Sequence, residues 1–396
     1  MSHASTIVGI PGLEIERVDR NQQIHIWAKP KFRPVCLYCE STSLRIKSTG
    51  ERTLKHTRQG NRIMVLHLRV PKYHCMTCGR YFRHRFAGIR PRLRATEGYR
   101  LEVYEAHHGG VTQHMLSRTH GISAATVERW YQYHIAQRIS EMRDRPCPQV
   151  LGIDEHFFSR QRGYATTLVD LKNHKVFDVV LGRTEASLGE YLRALPGREQ
   201  VKIVVMDLSE TYRRIVRRYF PNAQIVADRF HVVRLVNHHV LKVWQQQDPE
   251  GRKNRGLLSL MRRHQWNLST AQQQRLQAYL DQHPVLKALY HAKHQLMRLL
   301  LLKTLQVAHV RRYLPQLRRL IDQFADSPAA SLSRTLTSWL EPIVRMWRYR
   351  YSNGMTEGFH TKMEMMSRRA FGFRNFNNYR LRVLAHCGWD GVINRV

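Results

Sequence analysis

Between Val150 and Ala227 the chain switches repeatedly between strand and helix texture, and this run limits the fold more than any other feature. Val150 to Phe158, Tyr164 to Leu171 and Val176 to Leu181 are β-rich runs separated by short polar breaks. Ala186 to Leu195 has helical spacing and stops at Pro196-Gly197. Val201 to Met206 is almost continuously apolar, the pattern of a strand covered on both faces. Thr211 to Tyr219 predicts a helix and Ala223 to Ala227 a further strand. The order β-β-β-α-β-α-β predicts an α/β sheet with helices packed on it.

Acidic residues are scarce in this chain, so their positions carry information. Asp154 lies in the first strand, in Leu151-Gly-Ile-Asp-Glu155, and Asp207 ends the strand Val201 to Met206. Glu357 opens a helix after the break Asn353-Gly354. Carboxylates at strand ends and on a packing helix are a way to gather oxygen ligands for Mg²⁺. Taken singly, each has a plainer explanation as a turn residue or helix cap. Asp228 also follows a strand and is a secondary candidate, whereas Asp170 precedes a turn at Lys172-Asn173 and reads as structural. On the last helix Glu357, Thr361, Glu364 and Arg368 share one face by their spacing, which makes Glu364 an alternative third acid. Phe359, Met363 and Met366 lie opposite and predict docking onto the sheet.

The flanks differ in texture. Phe230 to Tyr349 is helical throughout, rich in Leu, Arg, Gln and His. The tail from Arg368 alternates Arg368, Arg369, Arg374 and Arg380 with Phe371, Phe373, Phe376 and Tyr379, a pattern suited to phosphate contacts and base stacking. Some of these aromatics are expected to belong to the core instead.

Upstream, Cys36 and Cys39 form one C-x2-C pair, and Cys75 and Cys78 another. Two such knuckles match a closed tetrahedral Zn²⁺ site of structural type, with no position left for water. Met64, Leu66, Leu68 and Val70 alternate with polar neighbours, so the spacer predicts a strand pair that returns the chain to the first knuckle. His56, His67 and His74 between the pairs read as surface or phosphate-contacting residues rather than ligands. Gly98 to His108, Val111 to Thr119 and Ala124 to about Arg138 predict three helices, the last capped by Ser123. The second and third have a helix-turn-helix layout with Gly121 in the turn. Val111, Met115, Leu116, Ile122, Val127 and Trp130 would pack inside, and Ser123, Ala124, Thr126 and Arg129 would face a major groove. An ordinary helical hairpin is the alternative.

Charge points the same way. The chain of 396 residues has 65 Lys and Arg against 30 Asp and Glu, a formal net charge of +35. Basic residues spread along the whole length favour a nucleic-acid partner over a membrane surface. No apolar run approaches a membrane span, and Met1 to Arg20 lacks the apolar core of a signal peptide. The expectation is a cytoplasmic protein of the bacterial nucleoid, with its thiols reduced.

These residues together resemble the bacterial insertion-sequence transposases of the ISL-three family, whose members carry a DDE catalytic domain. The resemblance runs from Cys36 to Val383. It is carried by the cysteine pairs, Leu151-Gly-Ile-Asp-Glu155, Met206-Asp-Leu-Ser209, Asp228-Arg-Phe-His-Val232, Asn353-Gly-Met-Thr-Glu-Gly358 and, most specifically, the tail Arg368 to Arg382. It implies an α/β RNase H-like core with a long all-α insertion, preceded by a zinc ribbon and a helix-turn-helix. The expected segments are 1–90 for the ribbon, 91–147 for the helix-turn-helix, 148–232 for the first part of the core, 233–350 for the insertion and 351–396 for the closing helix and basic tail. Asp154, Asp207 and Glu357 would hold two Mg²⁺ or Mn²⁺ ions for in-line phosphoryl transfer. The implied partners are duplex DNA, both terminal inverted repeats and target, and further copies of the chain in a dimer or larger assembly. In one departure, His360 stands where relatives commonly have Asn. A DNA-binding regulator with a non-catalytic RNase H-like domain is the rival reading, and an RNA-directed protein a third.

Overall fold

The computed structural model describes residues 8–142, 145–302, 306–325 and 328–388. They belong to two compact units, one within residues 1–143 and the other within 144–391.

The first unit is built on a five-stranded sheet. Strands β1 (Leu13–Arg20) and β2 (Ile24–Pro30) form a hairpin. Strands β3 (Leu44–Gln59) and β4 (Arg62–Cys75) form a second, longer one, and β5 (Tyr81–Arg83) adds to β4. The order β1-β2-β4-β3 places β2 parallel to β4, with Ile26 opposite Leu66. The turn between β3 and β4 needs only Gly60 and Asn61, and Gly60 takes a φ of 61° that glycine tolerates without strain. Alternation in β4 does what its sequence predicts, since Met64, Leu66, Leu68 and Val70 all point into one core with Ile24, Ile26, Leu54 and Phe86. Leu66 is fully buried, so truncation to Ala would cost roughly 2–5 kcal/mol. The first hairpin was not read from the sequence, although Leu13-Glu-Ile15 and Ile24-His-Ile26 carry the same period of two.

Three helices follow: α1 (Glu97–His108), α2 (Gln113–His120) and α3 (Ala124–Met142). Thr96 and Thr112 cap the first two, and the Ser123 hydroxyl accepts from Thr126 N–H at 3.2 Å at the start of the third. Gly121 turns the chain in the left-handed region, φ 57°. Tyr99, Val103, Leu116 and Val127 form the core, with Ile122 and Trp130 against it. Lys55 Nζ donates to the carbonyls of His120 and Gly121 at 2.9 and 2.8 Å, tying the α2–α3 turn to β3. His56 departs from its expected surface role. It is buried, and its two ring nitrogens bond the Thr96 hydroxyl and the Val8 carbonyl, because β3 turns it toward the core.

The second unit centres on another five-stranded sheet. Strands β6 (Val150–Ser159), β7 (Gly163–Asp170) and β8 (Lys175–Leu181) form an antiparallel meander. Helix α4 (Glu185–Ala194) leads to β9 (Ile203–Met206), and α5 (Glu210–Tyr219) leads to β10 (Gln224–Ala227). Strand β9 lies parallel to β6, and β10 parallel to β9, which gives the order β10-β9-β6-β7-β8. All four β9 residues are buried, as expected of a strand covered on both faces. Among the described residues eight helices then run from Arg229 to Arg348: α6 (Arg229–Gln247), α7 (Pro249–Lys253), α8 (Arg255–Arg262), α9 (Thr270–Asp281), α10 (Pro284–Leu300), α11 (Val307–Asp322), α12 (Ala330–Ser338) and α13 (Leu340–Arg348). Helices α14 (Gly354–Arg369) and α15 (Phe376–Val383) bring the chain back to the sheet. Among the described residues no helix is long and apolar enough to cross a membrane.

Candidate active site and metal centre

Register sets the acidic cleft. Ile153 on β6 pairs with Met206 on β9, and Ala227 on β10 pairs with the same Met206. The next residue along each of these parallel strands is Asp154, Asp207 or Asp228, so three carboxylates emerge side by side. Crevices at the carboxyl ends of parallel strands are where open α/β sheets bind ligands. Helix α14 closes this end. Asn353 is fully buried; its Nδ2 donates to the Ile153 carbonyl at 3.1 Å, and its backbone N–H donates to Asp228 Oδ1 at 3.1 Å. Its Oδ1 accepts from the Thr356 hydroxyl at 2.8 Å. Glu357, half-buried, sits one turn on, with its N–H on the Asn353 carbonyl.

Burial dominates the electrostatics. It pushes the Asp154 carboxyl up to about 7, with the charges of Asp207 and Asp228 adding to the shift. The Glu155 N–H bonded to Asp154 and the neighbouring His231 act the other way. Asp207 is raised for the same principal reason. Three polar atoms of this cleft are buried without a hydrogen bond: Asp207 Oδ1, Asp228 Oδ2 and His231 Nδ1. Asp228 stands at the N-cap of α6, yet its side chain makes no cap bond. It holds Asn353 instead, and its second oxygen lies 3.5 Å from His231 Nδ1. Buried, mutually repelling carboxylates with idle oxygens fit a hard divalent cation, which needs oxygen ligands and would offset the repulsion.

The carboxylates are not drawn onto one point. Among the described residues, only the four cysteines form a group of three or more metal-binding side chains with ligand atoms all within 4.8 Å. Glu364 lies further along α14 on exposed surface, where Arg368 holds it at 2.6 Å.

The sequence did not single out His156, and marked His360 only as a departure from relatives; both lie beside the acids. Tyr379 O–H reaches His156 Nε2 at 2.8 Å, and His156 Nδ1 reaches the Thr167 hydroxyl at 2.9 Å. The same hydroxyl meets His360 Nε2 at 3.0 Å, and His360 Nδ1 lies 3.9 Å from Asp154 Oδ2. Burial holds His360 down to about 4 and His156 to about 3, so both are neutral. With neutral rings and an ionised Asp154 the chain runs one way: Tyr379 donates to His156, His156 to Thr167, Thr167 to His360, and His360 Nδ1–H faces Asp154. The sequence signal was the alternation of Asp154, His156 and Phe158, although Asp154 and His156 share a face only once the strand is placed.

The four cysteines make a separate centre in the first unit. Cys36 Sγ and Cys78 Sγ are 3.7 Å apart, and Cys39 Sγ and Cys75 Sγ 3.6 Å. Zn–S bonds of about 2.3 Å at tetrahedral angles place sulfurs about 3.8 Å apart, so the spacing fits one Zn²⁺ and excludes disulfides. The N–H groups of Cys78 and Thr77 help bring the Cys75 thiol down to about 6. Against the Ser41 backbone hydrogen bond, desolvation and the neighbouring sulfurs push Cys39 up to about 12, so it is the sulfur spacing that points to a metal.

The expected DNA-facing residues divide. Ser123, Ala124 and Arg129 are exposed on α3 and Thr126 is half-buried. Arg368, Arg369 and Arg374 are exposed. Arg380 is different: its guanidinium grips Asp178 with both arms, at 2.6 and 2.7 Å, and Asp178 also accepts from Tyr191. Arg380 therefore fastens α15 to β8. Of the tail aromatics Tyr379 is buried, Phe373 and Phe376 are half-buried, and Phe371 is fully exposed.

Comparison with known proteins identifies the family. The chain is 23% identical over 394 residues to the transposase for insertion sequence element IS1001 of Bordetella parapertussis, covering 95% of this chain and 96% of that one. The family model of the ISL3 DDE transposases, described as transposase, matches residues 151–383, which span the sheet, the helical run and both closing helices. The chain belongs to the ISL3 family of transposases.

Proposed function

We propose that this transposase cuts the ends of an insertion sequence and joins them to target DNA, with Asp154, Asp207 and Glu357 as the metal-binding acids of an RNase H-like core. The observation that carries the reading is the side-by-side placement of Asp154, where the pairing of β6 with β9 stops, and Asp207, just past β9, with the Glu357 helix pinned to β6 through Asn353. The strand order, three antiparallel strands followed by two parallel ones on the far side of the first, supports the RNase H-like assignment. The helices from Arg229 to Arg348 then interrupt the core between β10 and α14.

Bound Mg²⁺ or Mn²⁺, two ions in the full site, would activate the attacking hydroxyl and stabilise the leaving 3′-oxygen. Asp154 and Asp207 present their oxygens from a rigid sheet. Asp228 offers a further idle oxygen beside them, and Asn353 fixes the helix that carries Glu357. His360 orients toward Asp154 and limits its movement.

In the first unit, the Cys36, Cys39, Cys75 and Cys78 thiolates would hold structural zinc. The α2–α3 pair would present Ser123, Ala124, Thr126 and Arg129 to the terminal inverted repeats. Arg368, Arg369 and Arg374 would contact phosphates, and two copies of the chain would bring two ends together.

The test is strand cleavage of terminal inverted-repeat DNA in Mg²⁺ by Asp154→Asn, Asp207→Asn and Glu357→Gln. Each should lose activity by a factor of about 10³ or more while still binding the DNA. Wild-type cleavage by any one removes that residue from the site. If the wild-type protein binds the repeats but never cuts them, the DNA-binding regulator is the surviving reading.

A further inference from the structure

Phe371 breaks two local rules at once. Its side chain is 99% exposed, the most exposed large apolar group described. Its backbone is left-handed, φ 53°. It occupies the position just past the end of α14, where Phe371 N–H bonds the Arg368 carbonyl at 3.1 Å and Gly372 N–H bonds the Ser367 carbonyl at 2.8 Å. That pair of bonds ends a helix in a Schellman turn, and the residue at this position is usually glycine, because a Cβ is strained there. A phenylalanine here adds strain and exposes a ring to water, with no packing in return. Residues that break local rules without helping the fold are expected at functional sites.

The surroundings specify the partner. Arg368, Arg369 and Arg374 are exposed on either side, and Ala370 and Gly372 leave the ring unobstructed. Cations flanking an apolar ring suit a nucleic acid, with phosphates on the arginines and the ring between bases. The ring is also held at a fixed reach. Glu357 lies in the first turn of α14 and Phe371 just past its end, so the fourteen residue steps between them reach at most about 21 Å. That length equals about six base pairs of duplex at 3.4 Å each.

We propose that Phe371 is a wedge that enters the DNA held by the C-terminal segment and unstacks one base step, within about six base pairs of the phosphate being cut. The distance rests on the reading of Glu357 as part of the cutting site. The αL turn makes the wedge rigid, and α14 connects it directly to Glu357.

The experiment uses full-length protein and terminal-repeat duplexes carrying 2-aminopurine at successive positions from the cut. Wild-type protein should raise the fluorescence several-fold at one step, no more than about six base pairs away. Phe371→Ala and Phe371→Gly should flatten that peak at saturating protein and slow cleavage about tenfold, and a duplex already mismatched at that step should restore the rate. Phe371→Trp should keep the rate. Phe371→Gly should be no less stable than wild type, with a melting temperature about 2 °C higher once the strain is relieved. That outcome separates a DNA contact from a folding role. The double variant Arg368→Ala, Arg369→Ala should weaken binding yet keep the peak when saturated. An unchanged peak in Phe371→Ala overturns the wedge, as does a wild-type profile without any peak on DNA that is still cut. A peak ten or more base pairs from the cut, or loss of cleavage that no mismatch restores, overturns it as well. If Asp154→Asn and Glu357→Gln cut normally, the catalytic reading fails, and with it the distance in the proposal.

Discussion

The backbone N–H of Asn353 donates to Oδ1 of Asp228 at 3.1 Å, joining residues 125 apart in the chain. This bond and the Asn353 side-chain bond to Ile153 set the first turn of α14 against β6 and β10. Replacing Asn353 with Ala should leave the Ile153 carbonyl and the Thr356 hydroxyl without their partners in a fully buried site. A loss of about 2–3 kcal/mol in urea unfolding is expected. End cleavage should fall further than stability does, because Glu357 rides on the same turn. An unchanged cleavage rate at a temperature where the variant is folded would show that the clasp does not position the acid.

Asp154 gives a pH dependence of unusual sign. Its folded-state value, about 7, lies above that of an unfolded aspartate, so the native state binds the extra proton between roughly pH 4 and 7. Without divalent ions, stability should therefore fall as pH rises through this window, by at most about 4 kcal/mol, and level off above pH 7. Asp207 contributes in the same direction. Asp154→Asn should flatten the slope and stabilise the metal-free protein at pH 8. Millimolar Mn²⁺ should stabilise the wild type at pH 8 more than at pH 5. A slope that survives in Asp154→Asn would assign it elsewhere.

The cysteine centre predicts one zinc per chain by elemental analysis. Cys36→Ser or Cys75→Ser should lose that zinc and raise protease sensitivity around residues 36–78. Divalent-ion binding at the carboxylates should persist. A zinc content unaltered by either substitution would exclude these sulfurs as ligands.

Two arginines of the tail should behave oppositely. Arg380→Ala leaves Asp178, 7% exposed, buried without its counter-charge, and should cost about 3–5 kcal/mol. Arg368 pairs with Glu364 on open surface, so Arg368→Ala should change stability by less than about 1 kcal/mol. It should instead weaken DNA binding and reduce the log–log salt slope by about 0.9. Equal effects of the two on DNA affinity, at equal stability, would contradict the clamp assigned to Arg380.

The hydrogen-bonded chain from Tyr379 to His360 predicts an effect at a distance. Tyr379→Phe removes the donor to His156 Nε2 and frees that ring to take its other tautomer. Cleavage should drop about three- to tenfold, and His360→Asn, which keeps a donor toward Asp154, should retain more activity than His360→Leu. Equal rates for the Asn and Leu variants would show that the group facing Asp154 contributes only bulk.

Local chemistry made much of this legible from residues alone. Seven strand and helix positions from Val150 to Ala227 follow from side-chain periodicity and from breakers such as Pro196-Gly197, and each lies within about three residues of where it was expected. The convergence of the two knuckles and the strand pair between them also followed, since paired cysteine spacing and alternating apolar residues are local patterns. The acid inside β6 and the acids just past the ends of β9 and β10 could also be named from these local patterns.

Only the tertiary structure decided which of these groups meet. Asp228 and Glu364 were equal secondary candidates in the sequence, yet one is buried beside Asp154 and the other is paired on the surface. Arg380 looked like its neighbours Arg368 and Arg374 until the docking of α15 turned it onto Asp178. Periodicity reports which face of an element is apolar, because burial of that face is a local free-energy preference. Which polar group on the other face finds a partner depends on elements more than a hundred residues away, and nothing in the local pattern encodes that meeting.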